Sequence, residues 1–417
     1  MRATTSFLSE QDLDELATEL KEWPNTARSN DAFELGVTPF VTFYFLYDTK
    51  RYVETSLLMV DIHEEFERLV GKPYKTATHP DSERPYPYGS KRIPDLREYA
   101  KNADADGHFA FSFNDETNHK SSPATSNNSW RIPAYQNDRE SRRDRTYSSI
   151  QLYYRWSWWK DNKVAWRAFV LQTIQKLQPE QVYSGFAMAN PLEFGTRSEV
   201  AVWERALTSR FYGLDIDSPY GMHRELLWGV RPPTWAFLLS DVWREQLSLT
   251  REAVKAALTH PRITITELDA GLWIELGSEP ELYPVESGVP ELPSLLNKLL
   301  RPIRHDAMGL LDFGEWDGDP NERFTNADAV RWMRRFDEDS DWPSSEQRLR
   351  APIDSVSQSL TSISGGQPCP QAGWWLTPAK AGSRSYFKVG EVMPIIRGSS
   401  YGSTFWQWDI DQSGPKL

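Results

Sequence analysis

The sequence predicts an α+β fold, in which duplicated strand–helix–strand units form a mixed sheet packed with helices, plus a small C-terminal β-rich module. Residues 37–47 and 149–159 are rich in β-branched and aromatic side chains, which are typical of strands. Helical apolar spacing follows each of them, at residues 51–70 and 164–177. Residues 369–409 combine short strand-like pieces with glycine and proline turns.

The stretch 147–189 contains one complete strand–helix–strand unit. After its aromatic strand, apolar residues from Val164 to Leu177 form one helical stripe, and Pro179 ends the helix. Residues 182–189 then form a second strand. Because the same order of elements occurs in the first 113 residues, we predict a duplicated unit.

Other segments complete the predicted main body. Residues 114–144 are polar and rich in Ser, Asn and Arg, which indicates a long exposed excursion between the two halves. The further predicted elements are helices at 9–23, 96–101, 196–211, 234–246, 250–258, 292–300 and 327–336, a strand at 108–113 and a hairpin at 263–276.

Changes in composition divide the chain into five parts. An N-terminal acidic helix occupies residues 1–35, and the α+β domain occupies residues 36–305. An acidic, tryptophan-containing helical segment follows at 306–350, then a serine-rich linker at 351–367 and the β-rich module at 368–417.

Charge and composition exclude several classes of protein. The 417-residue chain has a formal net charge of -12, which disfavours nucleic-acid binding because phosphates require basic patches. No apolar run reaches the length of about 18 residues that a membrane span needs. The single Cys369 excludes an internal disulfide framework, and the N-terminus lacks the apolar region of a signal peptide. These features predict a cytoplasmic protein.

The sequence contains no recognisable catalytic constellation. It lacks G-x-S-x-G, P-loop, G-x-G-x-x-G and H-E-x-x-H motifs, and its seven His residues have no metal-ligand spacing. Asp317 to Asp328 resembles a calcium loop in its oxygen side chains, but Glu322 stands where that loop needs glycine for its turn. We therefore predict a protein that is not an enzyme, with no catalytic, cofactor-binding or metal-binding residues.

Two acidic clusters with nearby tryptophans are the candidate partner-binding surface. Carboxylates beside aromatic side chains can dock a basic patch, because the aromatics supply buried area and the charges supply association rate and selectivity. A solvated acidic face is the competing interpretation. The candidate residues are Asp312, Glu315, Trp316, Asp317, Asp319, Asp337, Glu338, Asp339, Asp341 and Trp342.

Two other functions are compatible with particular residues of the sequence. A carboxylate-dependent hydrolase of the glycosidase kind would need a carboxylate pair, and Asp215 with Asp217 or Asp317 with Asp319 are the candidates. A scaffold or carbohydrate-binding protein would use aromatic platforms in the tail. The tail tryptophans are Trp374, Trp375, Trp406 and Trp408.

Residues 36–305 resemble the type VI immunity family of bacteria. The resemblance is carried by VTPFVTFYFLYDTKRYVET, by YSSIQLYYRWSWW with AFVLQTIQKLQPEQVYSGFAMANP, and by PPTWAFLLSDVWREQL with ITELDAGLWIELGSEPELYP. The tail, from CPQAGWW to WQWD, resembles a separate module of other polymorphic-toxin immunity proteins.

The resemblance implies a cytoplasmic immunity protein that binds a cognate effector toxin of a type VI secretion system. Some relatives are encoded beside nuclease toxins, so the implied partner is a nuclease domain with a basic cleft. The resemblance transfers no catalytic or metal residues. We expect partner specificity in residues 114–144 and in the C-terminal module, since loops tolerate variation.

Overall fold

The computed structural model describes residues 37–80, 82, 84–118, 122–133, 145–191, 200–201, 204–205, 207–306, 324–343, 363–377, 379–380, 382–397 and 404–409. The chain divides into two compact units, Met1–Arg348 and Leu349–Leu417. The helix predicted at residues 9–23 lies outside the described residues.

One mixed sheet organises the first unit, with eleven strands among the described residues. Its strand order is β10-β11-β9-β7-β1-β6-β5-β4-β2-β3, with β8 paired in parallel to β7 and the other neighbours antiparallel. The strands are β1 (Val37–Phe45), β2 (Thr76–Thr78), β3 (Pro85–Pro87), β4 (Phe109–Asn114), β5 (Ser126–Arg131), β6 (Ser148–Tyr153), β7 (Gln181–Met188), β8 (Leu214–Asp215), β9 (Ala236–Ser240), β10 (Ile263–Leu268) and β11 (Gly271–Leu276).

The helices begin at local sequence signals. Asp95 caps the second helix and Thr250 caps the sixth, while Thr325 and Asp328 form a capping box at the last one. The helices are α1 (Tyr52–Leu69), α2 (Leu96–Lys101), α3 (Trp156–Leu177), α4 (Pro219–Met222), α5 (Asp241–Gln246), α6 (Arg251–Ala257), α7 (Glu291–Leu300) and α8 (Asn326–Met333).

The central strand β1 is covered on both faces, and all nine of its residues are buried. Val41, Phe43 and Phe45 belong to one core, whereas Phe40 and Tyr44 belong to a second core. Since side chains alternate between the faces of a strand, the two cores lie on opposite sides of the sheet. Helices α1 and α3 supply the first core, and α5 to α8 supply the second.

The α+β fold class is confirmed, and most predicted elements form. Strands β6 and β7 both pair antiparallel with β1, so they run parallel to each other and α3 connects them. In the earlier unit, β1 and β4 run in opposite directions. The hairpin of β10 and β11 forms around Gly271, whose φ of +148° and close approach to Leu239 leave no room for a side chain.

The predicted strand at residues 149–159 is too long. Strand β6 ends at Tyr153, and the tryptophans that follow belong to the first turn of α3. Trp156 and Trp159 lie three residues apart and stack with a centroid distance of 4.9 Å. Residues at this spacing lie on one face of a helix. The aromatic composition of the segment instead favoured a strand. Val164, placed on the apolar stripe by the sequence, is 85% exposed.

The predicted helix at 234–246 is also wrong in its first half, where β9 lies between β11 and β7. All five residues of β9 are buried, with Ala236 and Leu238 in one core and Phe237 and Leu239 in the other. A short apolar run that is buried on both faces cannot be distinguished from a buried helix by periodicity alone.

Residues 114–144 do not form only an exposed excursion, because β5 lies inside the sheet between β4 and β6. Several of its polar side chains are buried and hydrogen-bonded. Asn127 contacts His63, Ser129 donates to Asn127, and Arg131 donates to two backbone carbonyls. A polar strand of this kind has no hydrophobic alternation to reveal it.

The described part of the 306–350 segment belongs to the core of the first unit. Phe324, Trp332, Met333, Phe336 and Trp342 are all buried in the second core. The boundary that composition indicated at residue 305 therefore does not coincide with a boundary in packing.

The second unit contains a small antiparallel sheet, as the sequence predicted. Its order is β12-β15-β13-β14, and its core contains Cys369, Trp375, Phe387, Met393 and Trp406. The strands are β12 (Ile363–Ser364), β13 (Gly373–Leu376), β14 (Ser385–Phe387) and β15 (Phe405–Trp408).

Candidate functional site

The carboxylates Asp215 and Asp217 lie in a buried charge network. Asp217 accepts a hydrogen bond of 3.0 Å from Arg231, whose guanidinium also donates to Asp215. Thr42 and Gln151 donate to the second oxygen of Asp217, at 2.5 and 2.7 Å. The side chains of Asp217 and Arg231 are both 0% exposed.

Burial and the ion pairs act in opposite directions on the pKa values of this network. Burial has the larger effect on Asp217 and raises its pKa, although Arg231 and the hydrogen bonds from Thr42 and Gln151 act to lower it. Burial lowers the pKa of Arg231, but Asp215 and Asp217 reverse this effect and raise it above its usual value.

This geometry removes Asp215 and Asp217 from the candidate hydrolytic pairs, because neither carboxylate reaches solvent or substrate. Asp317 and Asp319 lie outside the described residues. Two of the four tail tryptophans also differ from the platform expectation, since Trp375 and Trp406 are buried in the core of the second unit. Neither alternative function gains support from the described residues.

Asp337, a predicted partner-binding residue, is buried in the first unit. It accepts a bidentate pair of hydrogen bonds from Arg304, at 2.7 and 2.8 Å, and one from Asn297 at 2.6 Å. Burial alone would raise the pKa of Asp337, but the bonds from Arg304 and Asn297 outweigh it and lower the pKa. Asp337 therefore fixes the end of α8 against α7, and its carboxylate is not free to dock a partner.

Trp342 is likewise a core residue, with 0% of its surface exposed. Its ring stacks on Phe324 at a centroid distance of 5.8 Å, and its indole N–H donates to the Thr208 carbonyl at 3.1 Å. It cannot be the exposed aromatic anchor that the sequence indicated.

The exposed members of the predicted surface are Glu338, Asp339 and Asp341. We call these three residues the acidic turn. Glu338 pairs with Lys298 at 2.5 Å, and Asp341 pairs with Arg331 at 3.1 Å. The other candidates lie outside the described residues, namely Asp312, Glu315, Trp316, Asp317 and Asp319.

A concave site of about 410 Å³, which we call the α1 cleft, lies at the other end of the sheet from the β10 edge. It is open to solvent and lies beside β2 and the edge strand β3. The lining residues used below are Val60, His63, Glu64, Glu67, Tyr88 and Phe113.

Two carboxylates of the α1 cleft have different partners. Glu64 receives a bidentate pair of hydrogen bonds from Arg97, at 2.9 and 2.7 Å, and Arg97 also pairs with Asp61. Glu67 is only 9% exposed and accepts a short hydrogen bond from the hydroxyl of Tyr88.

Sequence reasoning missed the α1 cleft. Residues 74–94 are polar and rich in proline, which is typical of a loop, but Glu64 and Glu67 are three residues apart and therefore share a helix face. That spacing was the available signal. The approach of Tyr88 and Phe113 depends on tertiary structure.

His63 at the α1 cleft is a neutral imidazole. It stacks on Phe113 at 4.3 Å and contacts the Asn127 amide at 3.2 Å, and burial lowers its pKa to about 3. The unfolded chain, with a His pKa of about 6.5, takes up this proton first as the pH falls. The free energy of unfolding should therefore decrease between those two pKa values, by up to about 1.4 kcal/mol per pH unit.

We expect His63→Phe to remove this contribution. Between pH 7 and pH 5, urea denaturation should show that the wild type loses about 2 kcal/mol more stability than the variant. All other titrating groups are common to both chains. Equal losses in the two chains would contradict a neutral His63 in the folded state.

No group of three or more His, Cys, Asp or Glu side chains in the described ranges is placed to hold a metal ion. Within the same part of the chain, no helix has the length and apolar character required to cross a membrane.

The fold has a counterpart among solved structures. A Pseudomonas aeruginosa T6SS protein, PA0821, superposes with a TM-score of 0.64 at 20% sequence identity, covering 83% of this chain and 98% of that chain. At this identity the likeness establishes the fold alone. A comparison with curated proteins finds no match.

The family follows from the sequence match. The model of the TsiV family, described as type VI immunity for VRR-NUC, matches residues 61–336. The chain belongs to this family, and the resemblance stated from its residues is confirmed. The match begins within α1, contains β2 to β11 and α8, leaves out β1, and ends before the second unit. The resemblance of the tail to another immunity module stays a prediction.

Proposed function

We propose that this type VI immunity protein acts in the cytoplasm by binding a VRR-NUC nuclease effector and blocking its active site without catalysis. The observation that carries the proposal is the family match over residues 61–336, whose description names VRR-NUC as the target of immunity. The fold shared with a T6SS protein and the net charge of -12 support it.

Charge complementarity provides the physical basis of inhibition. A nuclease needs a basic cleft to bind the phosphate backbone of its substrate. An acidic protein is attracted to such a cleft, which raises the association rate by orders of magnitude at low ionic strength. Rapid association matters for immunity, because the effector must be bound before it cleaves DNA. Binding of this kind requires no catalytic residue in the immunity protein.

Co-expression tests the proposal directly. The full chain should restore viability to cells that express a VRR-NUC effector from the same type VI gene cluster, and it should co-purify with that effector. Purified chain should also inhibit DNA cleavage in proportion to its concentration, with saturation at a fixed stoichiometry. An unrelated acidic protein of similar net charge is the control. The proposal fails if the chain gives no protection and forms no complex.

The acidic turn remains a proposed contact surface, and its expected effect is moderate. Neutralising it as Glu338→Gln, Asp339→Asn and Asp341→Asn should slow association about three- to tenfold at low salt. The effect should disappear at high salt, where exposed charges are screened. The effect is limited because Lys298 and Arg331 already offset two of the three charges.

A matched triple variant separates local from overall charge in this test. Glu54, Glu98 and Glu245 are exposed and lie elsewhere on the first unit. Their replacement by glutamine changes the net charge by the same amount. If stopped-flow association rates fall equally in both triple variants, the acidic turn has no specific role.

A further inference from the structure

Glu67 at the α1 cleft is a nearly buried carboxylate that has no cationic partner in the part of the chain that the structure describes. It is 9% exposed, and the described residues place only the Tyr88 hydroxyl within hydrogen-bond distance of its side chain. The neighbouring cation, Arg97, is paired with Glu64 and Asp61 instead. A single neutral donor does not compensate the charge of a carboxylate removed from water.

The surroundings of Glu67 are aromatic. Tyr88, which is 40% exposed, lies in edge contact with Phe113 at 6.0 Å and near Tyr74 at 6.1 Å. Tyr74 packs against Tyr88 but does not itself line the cleft. The cleft thus combines an aromatic wall with a carboxylate that has a single hydrogen-bond donor among the described residues.

The ligand chemistry that satisfies this site is an organic cation on a flexible stem. A guanidinium or ammonium group would pair with Glu67, while its aliphatic stem would lie against the face of Tyr88. A multivalent metal ion fits less well, because Glu64 is committed to Arg97 and Glu67 alone provides too few ligands. A second copy of this acidic chain offers poor charge complementarity, whereas a DNA-cleaving partner presents a basic surface.

We propose that the α1 cleft receives an arginine or lysine side chain of the bound effector, with Glu67 as its counter-ion. This proposal rests on the proposed function and specifies one contact of the complex. It makes Glu67 a positioning residue for the partner, retained at a cost to the stability of the free protein.

The variant Glu67→Gln tests the contact, because glutamine keeps the shape of the side chain and can still accept from Tyr88. The affinity of the full chain for a purified VRR-NUC effector should fall at least about 30-fold, as for a charge pair that loses one buried partner. Glu54→Gln is the matched control on the same helix, since Glu54 is exposed and pairs with Arg51. It changes the net charge equally and should leave the affinity unchanged.

Thermal unfolding of the free variants supplies an independent readout. Glu67→Gln should match or exceed the melting temperature of the wild type, because it removes an uncompensated buried charge. A structural role for Glu67 predicts the opposite. The proposal is overturned if Glu67→Gln destabilises the free chain, or if it binds the effector as tightly as Glu54→Gln does.

The partner residue can be located by a double-mutant cycle. An effector variant that loses a basic side chain should bind the wild-type chain weakly, but it should show no further loss with Glu67→Gln. If no basic effector residue couples to Glu67, the contact is refuted although the complex exists. If the wild-type chain binds no effector at all, the proposed function fails first, so the two failures are distinguishable.

Discussion

Replacing Arg231 with alanine is expected to destabilise the first unit by about 3–5 kcal/mol, because it leaves two buried carboxylates without their cation. Asp215 and Asp217 are at most 3% exposed, and Arg231 binds both of them and the Ile216 carbonyl at 2.7 Å. Arg335, at 3.7 Å from Asp215, can replace only part of this interaction. Since domains are stable by about 5–15 kcal/mol, a substantial fraction of the chain should unfold at moderate urea concentrations.

Urea denaturation followed by circular dichroism provides the measurement, with Arg51→Ala as the control. Arg51 pairs with Glu54 on the surface, and its loss should have no measurable effect. Removing the charges together, as Arg231→Met with Asp215→Asn and Asp217→Asn, should recover much of the stability. If Arg231→Ala is as stable as Arg51→Ala, the network does not hold the segment between β8 and β9 to the sheet.

The sequence was sufficient to predict the elements whose signals are local. The composition of β1, the proline after α3 and the turn at Gly271 each depend on neighbouring residues, and each predicted the correct element. Strands β5 and β9 lack such local signals. The first carries polar side chains whose partners lie on α1 and in distant loops, and the second is buried on both faces.

The predicted partner-binding surface also shows that local sequence signals do not predict which residues are buried. An acidic run predicts exposure, yet Asp337 pairs with Arg304, which lies 33 residues earlier in the chain. The same run contains Glu338 and Asp339, which are exposed. Composition cannot separate these cases, because burial of one carboxylate depends on a cation that another element supplies.

The α1 cleft could not be assembled from sequence for a related reason. Glu67 and Tyr88 lie 21 residues apart, and Phe113 lies further along the chain in β4, after α2. Their convergence requires that β2 pair with both β3 and β4 while α1 packs across them. Because β2, β3 and β4 lie on one side of the cleft, the residues of α1 that line it are placed to contact a partner protein. The unit therefore separates the paired buried charges that stabilise it from Glu67, the cleft carboxylate proposed to bind a partner.

Replacing Trp166 with alanine should cost about 3–5 kcal/mol, which is the usual loss for a large aromatic side chain in a packed core. Trp166 is 1% exposed and lies within an aromatic cluster on the first face of the sheet. Its ring centroid is 5.4 Å from that of Trp235, 6.1 Å from that of Trp159 and 5.9 Å from that of Tyr154. The cavity left by the substitution would weaken the packing of α3 against the strands on either side of β1.

The same helix contains the matched control, because Val164 is 85% exposed although its spacing places it on the predicted apolar stripe. Val164→Ala should be neutral or slightly stabilising, since alanine favours a helix more than valine does. Urea denaturation of the two variants compares a buried aromatic with an exposed aliphatic residue only two positions away. Similar losses of stability in the two variants would mean that helix propensity, rather than the packing of Trp166, stabilises α3. A large loss for Trp166→Ala alone would show that the aromatic cluster anchors the helix to the sheet.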